Sequence, residues 1–211
     1  MLRSPLTAEN NYRYGALSHA KGTVIWFNGL PGSGKSTIAK MVLQELLSQK
    51  FNFEYVSMDA IRSKIFPNPQ YTDAERDAAY RALVLIGSFL SKNGVNVILD
   101  GTGHKIVWRE LARQEIGASF LEVYVKCPVE VCMQREASRE NQPAIRANLY
   151  RDALKRLATG KRLEGLGKVP GVDEPFEESE NPEITVDSFA NDAKECAVVI
   201  LGDLGKRFLL R

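Results

Sequence analysis

Residues 29–36 read Gly-Leu-Pro-Gly-Ser-Gly-Lys-Ser, and they follow the apolar run Val-Ile-Trp-Phe at 24–27. Glycines, which lack a Cβ, let backbone N–H groups converge on a phosphate. Lys35 can reach β- and γ-phosphate oxygens, and the Ser36 hydroxyl can bind Mg²⁺. A helix beginning here directs its positive end at the same oxygens. The stretch predicts a nucleoside triphosphate site, although a glycine-rich turn that binds nothing can share so short a pattern.

The residues expected to bind the nucleotide form one loop and the start of the next helix. They are Gly29, Leu30, Pro31, Gly32, Ser33, Gly34, Lys35, Ser36 and Thr37. Lys35 is also expected to act in catalysis, because a cation at the transferred phosphoryl group stabilises the charge that develops there.

Strand-like segments alternate with amphipathic helices along the chain. Strands are predicted at about 23–28, 53–57, 95–99, 119–125 and 184–186. Helices are predicted at about 35–49, 72–92, 105–116 and 189–201, the last with Phe189 on its apolar side, and the stretch 129–163 is basic and helix-prone. This alternation is typical of an α/β protein whose parallel sheet lies between two helical layers. We predict a P-loop nucleoside triphosphate hydrolase fold of the nucleotide-kinase type.

The predicted organisation is a polar N-terminal arm at 1–20 and a single domain at 21–211, with a lid at about 130–168. The net charge of +2 gives no strong attraction to nucleic acid or to an acidic membrane. No apolar run is as long as a membrane span, and the N-terminus lacks the apolar core of a signal peptide. Three cysteines without metal spacing, and two distant histidines, favour buried thiols in the cytoplasm over a zinc site.

Two carboxylates are expected at the sheet edge that carries the phosphate loop. Asp59 follows the second strand, and Asp100 ends the third. One could accept the proton of an attacking hydroxyl, and the other could hold Mg²⁺ through water. We expect Asp59 to act in catalysis and, with Ser36, to bind the metal. Either carboxylate could instead be a helix cap or a turn residue.

Several side chains are candidates for binding a second, anionic substrate. Arg62 lies one helical turn after Asp59, and His104 follows the turn at 100–103. Arginine binds oxyanions through two parallel N–H groups. The expected acceptor-binding residues are Arg62, Arg76, Arg81, Asp100 and His104. A solvated helix face would also carry such arginines.

The basic stretch after the fourth strand is expected to close over the nucleotide. Its arginines are Arg135, Arg139, Arg146, Arg151 and Arg156. Phosphoryl transfer needs cations around the moving γ-phosphate, and a mobile segment can deliver them. We expect Arg135 to act in catalysis and Arg139 to bind the nucleotide, because they lie closest to the fourth strand. An exposed basic helix would have the same composition.

From about Gly22 to Asp187 the sequence resembles the adenylyl-sulfate kinases. The matching segments are 23–30 (Thr-Val-Ile-Trp-Phe-Asn-Gly-Leu), 59–62 (Asp-Ala-Ile-Arg), 71–76 (Tyr-Thr-Asp-Ala-Glu-Arg), 148–150 (Asn-Leu-Tyr), 171–177 (Gly-Val-Asp-Glu-Pro-Phe-Glu) and 181–183 (Asn-Pro-Glu). The resemblance implies that ATP and Mg²⁺ are used to phosphorylate the 3′-hydroxyl of adenosine 5′-phosphosulfate in sulfate assimilation. It also implies Asp59 as the catalytic carboxylate, Arg62 as a substrate anchor and a possible homodimer.

The acceptor half departs from the family pattern. Ser57-Met58 replaces Asp-Gly, Ala79 replaces an asparagine, and Asp-Gly-Thr-Gly at 100–103 replaces a Ser-Pro loop. Val169 replaces a phenylalanine that stacks on the substrate adenine, a contact worth about 1–3 kcal/mol. Two alternatives therefore stay open. One is a P-loop kinase for another small hydroxyl compound, such as a sugar or an antibiotic, and the other is a nucleotide-binding module without turnover.

Overall fold

The computed structural model describes residues 20–138, 148–161 and 167–209, so the predicted arm lies almost wholly outside them. The described strands are β1 (Val24–Asn28), β2 (Phe53–Ser57), β3 (Asn96–Asp100), β4 (Phe120–Lys126) and β5 (Ile184–Asp187). They form one parallel sheet in the order β2-β3-β1-β4-β5. The predicted parallel sheet is confirmed. No end of a predicted strand differs from the observed end by more than one residue.

Helices cover both faces of the sheet, as predicted. They are α1 (Lys35–Ser48), α2 (Met58–Ile65), α3 (Asp73–Lys92), α4 (Ile106–Ile116), α5 (Val129–Ala137), α6 (Leu149–Thr159) and α7 (Ala193–Leu204). A single 3₁₀ turn, Gly117–Ser119, precedes β4, and a π-helical turn, Gly205–Leu209, follows α7. The sequence prediction did not include α2, which follows β2 without a loop and begins where the Ser57 hydroxyl accepts from the amide of Ala60.

The predicted start of the last helix at residue 189 is wrong. The helix begins at Ala193, because Asp192 forms a capping box with Glu195. The Asp187 carboxylate instead accepts from the amide of Phe189 and closes a turn there. Phe189 is 63% exposed and does not belong to the buried side of the helix.

Two apolar cores lie on opposite faces of the sheet. On one face α1 and α7 pack over Ile25 and Phe27. On the other, α3 and α4 pack over Val24, Trp26 and Leu99. Each central strand is therefore buried on both sides, as expected for a parallel sheet. Within the described ranges, no helix is both long and apolar enough to cross a membrane.

The sheet register brings the carboxyl ends of β1, β2 and β3 to one edge. Asp100 pairs with Phe27 on one side and with Ser57 on the other. The loop after β3 joins the loop after β1, because the Gly29 amide donates to the carbonyl of Thr102 over 3.3 Å. This edge carries most of the residues singled out by the sequence.

Candidate active site

The loop between β1 and α1 is packed too closely for side chains at its glycines. Gly29 and Gly32 have φ of 142° and 87°. A Cβ on Gly29 would lie 2.5 Å from the carbonyl oxygen of Val125, and one on Gly32 would overlap the carbonyl group of Cys132. The loop therefore lies directly against β4 and α5, and only glycine fits at these two positions.

The first turn of α1 is open to an anion. Gly34 precedes the helix and offers no capping side chain, and the first turn contains no acidic residue. Among the residues that the structure describes, no ion pair involves Lys35. Unpaired amides at a helix start, together with a cation, form an anion-binding site. Lys35 and Ser36 both lie in this turn, as the sequence predicts.

Two hydrogen bonds hold the phosphate loop from outside, and a third supports one of them. The Tyr150 hydroxyl on α6 donates to the carbonyl of Pro31 over 2.7 Å, and the Ser188 hydroxyl after β5 donates to the carbonyl of Ser33 over 2.7 Å. The Arg135 guanidinium on α5 donates to the Ser188 carbonyl over 2.8 Å. Sequence reasoning did not identify Ser188, because a serine 155 residues away carries no local signal. Arg135 reaches the loop only through Ser188, which it contacts.

The two carboxylates at the edge have different environments. Asp100 is 6% exposed, and the Tyr55 hydroxyl donates to its Oδ2 over 2.5 Å. Its Oδ1 is buried and has no hydrogen-bond partner among the described residues. The Asp59 side chain is 54% exposed and lies 3.3 Å from Arg62. Burial raises the pKa of Tyr55, and the nearby charges of Asp100 and Asp59 raise it further. Both carboxylates therefore act electrostatically on Tyr55, and Asp100 contacts it directly.

Arg62 and Arg76 converge on the same part of the edge. The Arg62 guanidinium lies 4.9 Å above the ring of Tyr71. The Tyr80 hydroxyl accepts from the amide of Gly103 over 2.9 Å. Burial raises the pKa of Tyr80, whereas the charges of Arg62 and Arg76 oppose this shift. Both arginines are thus close enough to act on one buried hydroxyl beside the 100–103 loop.

Arg76 and His104, both expected to bind substrate, are buried around Glu174. The Glu174 Oε2 atom lies 2.9 Å from Arg76 and 3.1 Å from the Nε2 atom of His104, and its Oε1 atom lies 3.2 Å from Lys105. Arg76 also donates to the carbonyl of Lys168. Burial lowers the pKa of His104 to about 4, although Glu174 opposes the shift. The segment 171–177 was singled out by sequence, but nothing in it indicated that Glu174 would pair with these residues.

Arg81 lies apart from the other candidates. Its guanidinium is exposed and pairs with Asp77 one helical turn earlier, at 2.7 Å. Of the lid arginines, Arg139 and Arg146 lie outside the described residues. Arg156 donates to the carbonyl of Gly167 and to the Asp173 carboxylate, so it links α6 to the segment that contains Glu174.

A buried ionic network supports the end of β1, and sequence reasoning missed it. Glu122 on β4 accepts from the Asn28 side chain over 3.0 Å and lies 2.9 Å from Arg109 and 3.0 Å from Arg113. Burial lowers the pKa of Arg109, against the charge of Glu122. Asn28 directly precedes the phosphate loop, so the network fixes the point where that loop starts. A glutamate inside an otherwise apolar strand is the one signal that could have revealed it.

Comparison with known proteins gives a consistent result. The family model of adenylylsulphate kinase matches residues 21–187. A probable adenylyl-sulfate kinase of Archaeoglobus fulgidus is 36% identical over 169 residues, which cover 80% of this chain and 97% of that protein. A probable adenylyl-sulfate kinase of Pyrococcus abyssi is 32% identical over 181 residues, covering 86% of this chain and 94% of that protein.

A solved structure has the same fold. It is the Mycobacterium tuberculosis APS kinase in complex with AMPPNP and APS. The two chains superpose with a TM-score of 0.71 at 24% identity, over 87% of this chain and 98% of that one.

Proposed function

Because the chain belongs to the adenylylsulphate kinase family, we propose that it is an ATP-dependent kinase that phosphorylates the 3′-hydroxyl of adenosine 5′-phosphosulfate. The product would be 3′-phosphoadenosine 5′-phosphosulfate, as in sulfate activation. One observation carries the proposal. An open helix start with Lys35 lies on the same sheet edge as the exposed carboxylate of Asp59 and its partner Arg62, whose side chain is 15% exposed. A triphosphate and an acceptor can therefore approach each other across this edge.

The nucleotide is assigned to residues 29–37. The loop amides and the start of α1 would bind the β- and γ-phosphate oxygens, with Lys35 as the cation. Arg135 remains a proposed catalytic residue. It would have to exchange its bond to Ser188 for a phosphate oxygen when a ligand binds. We keep Arg139 as a proposed nucleotide contact.

For the metal, Asp100 fits better than Asp59. Mg²⁺ keeps several of its waters and binds through few protein oxygens, and the described residues contain no cluster of three or more metal-binding side chains. Asp100 Oδ1 is a buried acceptor with no hydrogen-bond partner among the described residues, and Asp100 pairs with Phe27 shortly before the phosphate loop begins. The Ser36 hydroxyl would bind Mg²⁺ directly, and Asp100 would hold one of its waters. When bound, the ion neutralises charge on the transferred phosphoryl group.

With the metal assigned to Asp100, Asp59 would act on the acceptor. Its carboxylate would orient the attacking hydroxyl and take its proton while the bond from the γ-phosphorus to the leaving ADP oxygen breaks. Arg62, which lies 3.3 Å away, would bind the anionic end of the acceptor.

The remaining organisation is proposed on the same basis. We propose an arm at 1–20 and a lid at about 130–168. The bonds of Tyr150 and Arg156 support the lid, since they connect α6 to both sides of the site. We propose a cytoplasmic enzyme, because its three cysteines are free and buried, and a homodimer, as the family resemblance implies.

A second candidate acceptor is a small hydroxyl compound with less negative charge, such as a sugar. The observation that favours it is that Glu174 already pairs with Arg76, which leaves less positive charge for a sulfate group.

An assay of ADP release tests the function. The wild type, with Mg²⁺ and ATP, is expected to release ADP with adenosine 5′-phosphosulfate and not with a panel of sugars and antibiotics. Asp59→Asn should abolish turnover and keep ATP binding, whereas Glu54→Gln, an exposed charge change on β2, should have no effect. Release with a non-nucleotide alone would favour the second candidate. No release with any acceptor would indicate a binding module.

A further inference from the structure

Glu174 is a buried carboxylate surrounded by basic side chains from two other parts of the chain, of which Arg76 donates a hydrogen bond to it. Its side chain is 8% exposed and lies within 3.2 Å of nitrogen atoms of Arg76, His104 and Lys105. Arg76 comes from α3, and the other two precede α4. Such an arrangement is the kind of site in which proteins bind sulfate or phosphate. Here the carboxylate of Glu174 lies in the place that such an anion would take.

This cluster adjoins the proposed acceptor site. The charge of Arg62 contributes to lowering the pKa of Arg76, after the larger effect of burial, so the two guanidinium groups are electrostatic neighbours. The segment that carries Glu174 also packs against Tyr71, on whose ring Arg62 lies, since a Cβ on Gly167 would overlap the backbone of Tyr71. An anion bound at Arg62 would therefore be repelled by the negative charge of Glu174.

The charge balance of the cluster depends on Glu174. His104 is neutral at pH 7, so Arg76 and Lys105 with Glu174 leave one net positive charge. The Lys105 side chain is 30% exposed, and its ammonium group can reach solvent or a ligand. Removing the charge of Glu174 would leave two positive charges beside Arg62.

We propose that Glu174 determines acceptor specificity as an internal anion: it holds Arg76 and Lys105 and so limits how tightly the site binds the oxyanion of the acceptor. This inference rests on the proposed function, because it concerns the acceptor half of that site. It assigns a role to Glu174, which the sequence marked only as part of the segment 171–177, and to Lys105, which the sequence did not single out. The ligand class is a tetrahedral oxyanion, either a sulfate or a phosphate group.

Inorganic sulfate is the probe, titrated by calorimetry into the full chain saturated with MgADP. The ADP occupies the phosphate loop and prevents sulfate from binding there. We expect Glu174→Gln to bind sulfate about fivefold more tightly, the effect of one unit charge at about 4 Å in water. Lys105→Gln should bind it more weakly. Glu180→Gln, an exposed charge change in the same segment, should match the wild type.

Binding and stability separate this role from a purely structural one. If Glu174 only fastens the segment, Glu174→Gln lowers the unfolding free energy and leaves sulfate affinity unchanged or weaker, which would overturn the inference. If that variant does not fold, unchanged binding by Lys105→Gln would overturn it as well. In an active enzyme, Glu174→Gln should also lower KM for adenosine 5′-phosphosulfate at similar kcat. Because the titration needs no turnover, a failed kinase assay would leave this test intact.

Discussion

His104 occupies a position in which protonation is costly. Its ring is buried, lies edge-on to Trp108 at 5.0 Å and contacts the ring of Tyr80. Burial is the main reason that its pKa falls to about 4, and the charges of Arg76 and Lys105 add to the effect while Glu174 opposes it. The folded protein therefore holds His104 neutral at pH 7.

This pKa predicts a pH-dependent stability. An unfolded histidine has a pKa near 6.5, so between about pH 6.5 and 4 the unfolded chain binds more protons than the folded one. As the pH is lowered through this window, the unfolding free energy should decrease, by at most about 1.4 kcal/mol per pH unit from this group. Urea unfolding of wild type and His104→Gln at several pH values measures the contribution. Parallel curves for the two proteins would contradict it.

Residues with a local signature could be predicted, and residues whose role depends on a distant partner could not. Lys35 and Ser36 lie in the first turn of α1 because the loop pattern itself specifies that turn. Asp59 and Asp100 both lie near the carboxyl ends of predicted strands, and their partners distinguish them: exposed Asp59 pairs with Arg62, whereas buried Asp100 accepts from Tyr55, 45 residues earlier. From the sequence alone, Arg76 would be expected to be available to an anionic ligand. In the structure it is paired with Glu174, 98 residues away.

At the scale of elements, the close contact between the phosphate loop and α5 can be tested by substitution. Gly32 combines a left-handed φ with a backbone neighbour that leaves no space for a Cβ. Gly32→Ala should lower the unfolding free energy by about 1–3 kcal/mol or more and weaken ATP binding, because the loop must move away from Cys132. Urea unfolding and a nucleotide titration measure the two effects.

Gly202 provides the matched control. It lies within α7, where a Cβ would have no neighbour within 4 Å among the described atoms. Gly202→Ala should therefore raise the unfolding free energy by about 0.5–1 kcal/mol and leave ATP binding unchanged. Equal effects of the two substitutions would mean that the close packing of the loop is not what requires glycine at position 32.

Long periodic elements could be predicted, but short ones and capped ends could not. The twenty residues of α3 follow from a hydrophobic period, and the buried strand β1 follows from a continuous apolar run. The eight residues of α2 are too few to show a period, and they follow β2 directly. The start of α7 depends on the choice between Asp187 and Asp192 as the cap, which side-chain geometry decides.

At the scale of the whole molecule, the segment 167–183 connects the two halves of the site. Its Glu174 reaches the acceptor edge, and its Glu183 accepts from the amide of Glu122 over 2.8 Å, next to the network that holds Asn28. The fold class and the glycine-rich turn before α1 could be predicted from the sequence, because both depend on local patterns. The connection made by the segment 167–183 could not be predicted, because it forms only when segments distant in sequence come into contact.

Transfer to one defined oxygen is the central claim, and mass spectrometry of the product tests it most directly. The protein is incubated with Mg²⁺, γ-labelled ATP and either adenosine 5′-phosphosulfate or its 3′-deoxy analogue. We predict label on the 3′-oxygen of the first compound, one ADP per product, and no transfer to the analogue. Equal labelling of both compounds, or label only on a non-nucleotide acceptor, would contradict the account.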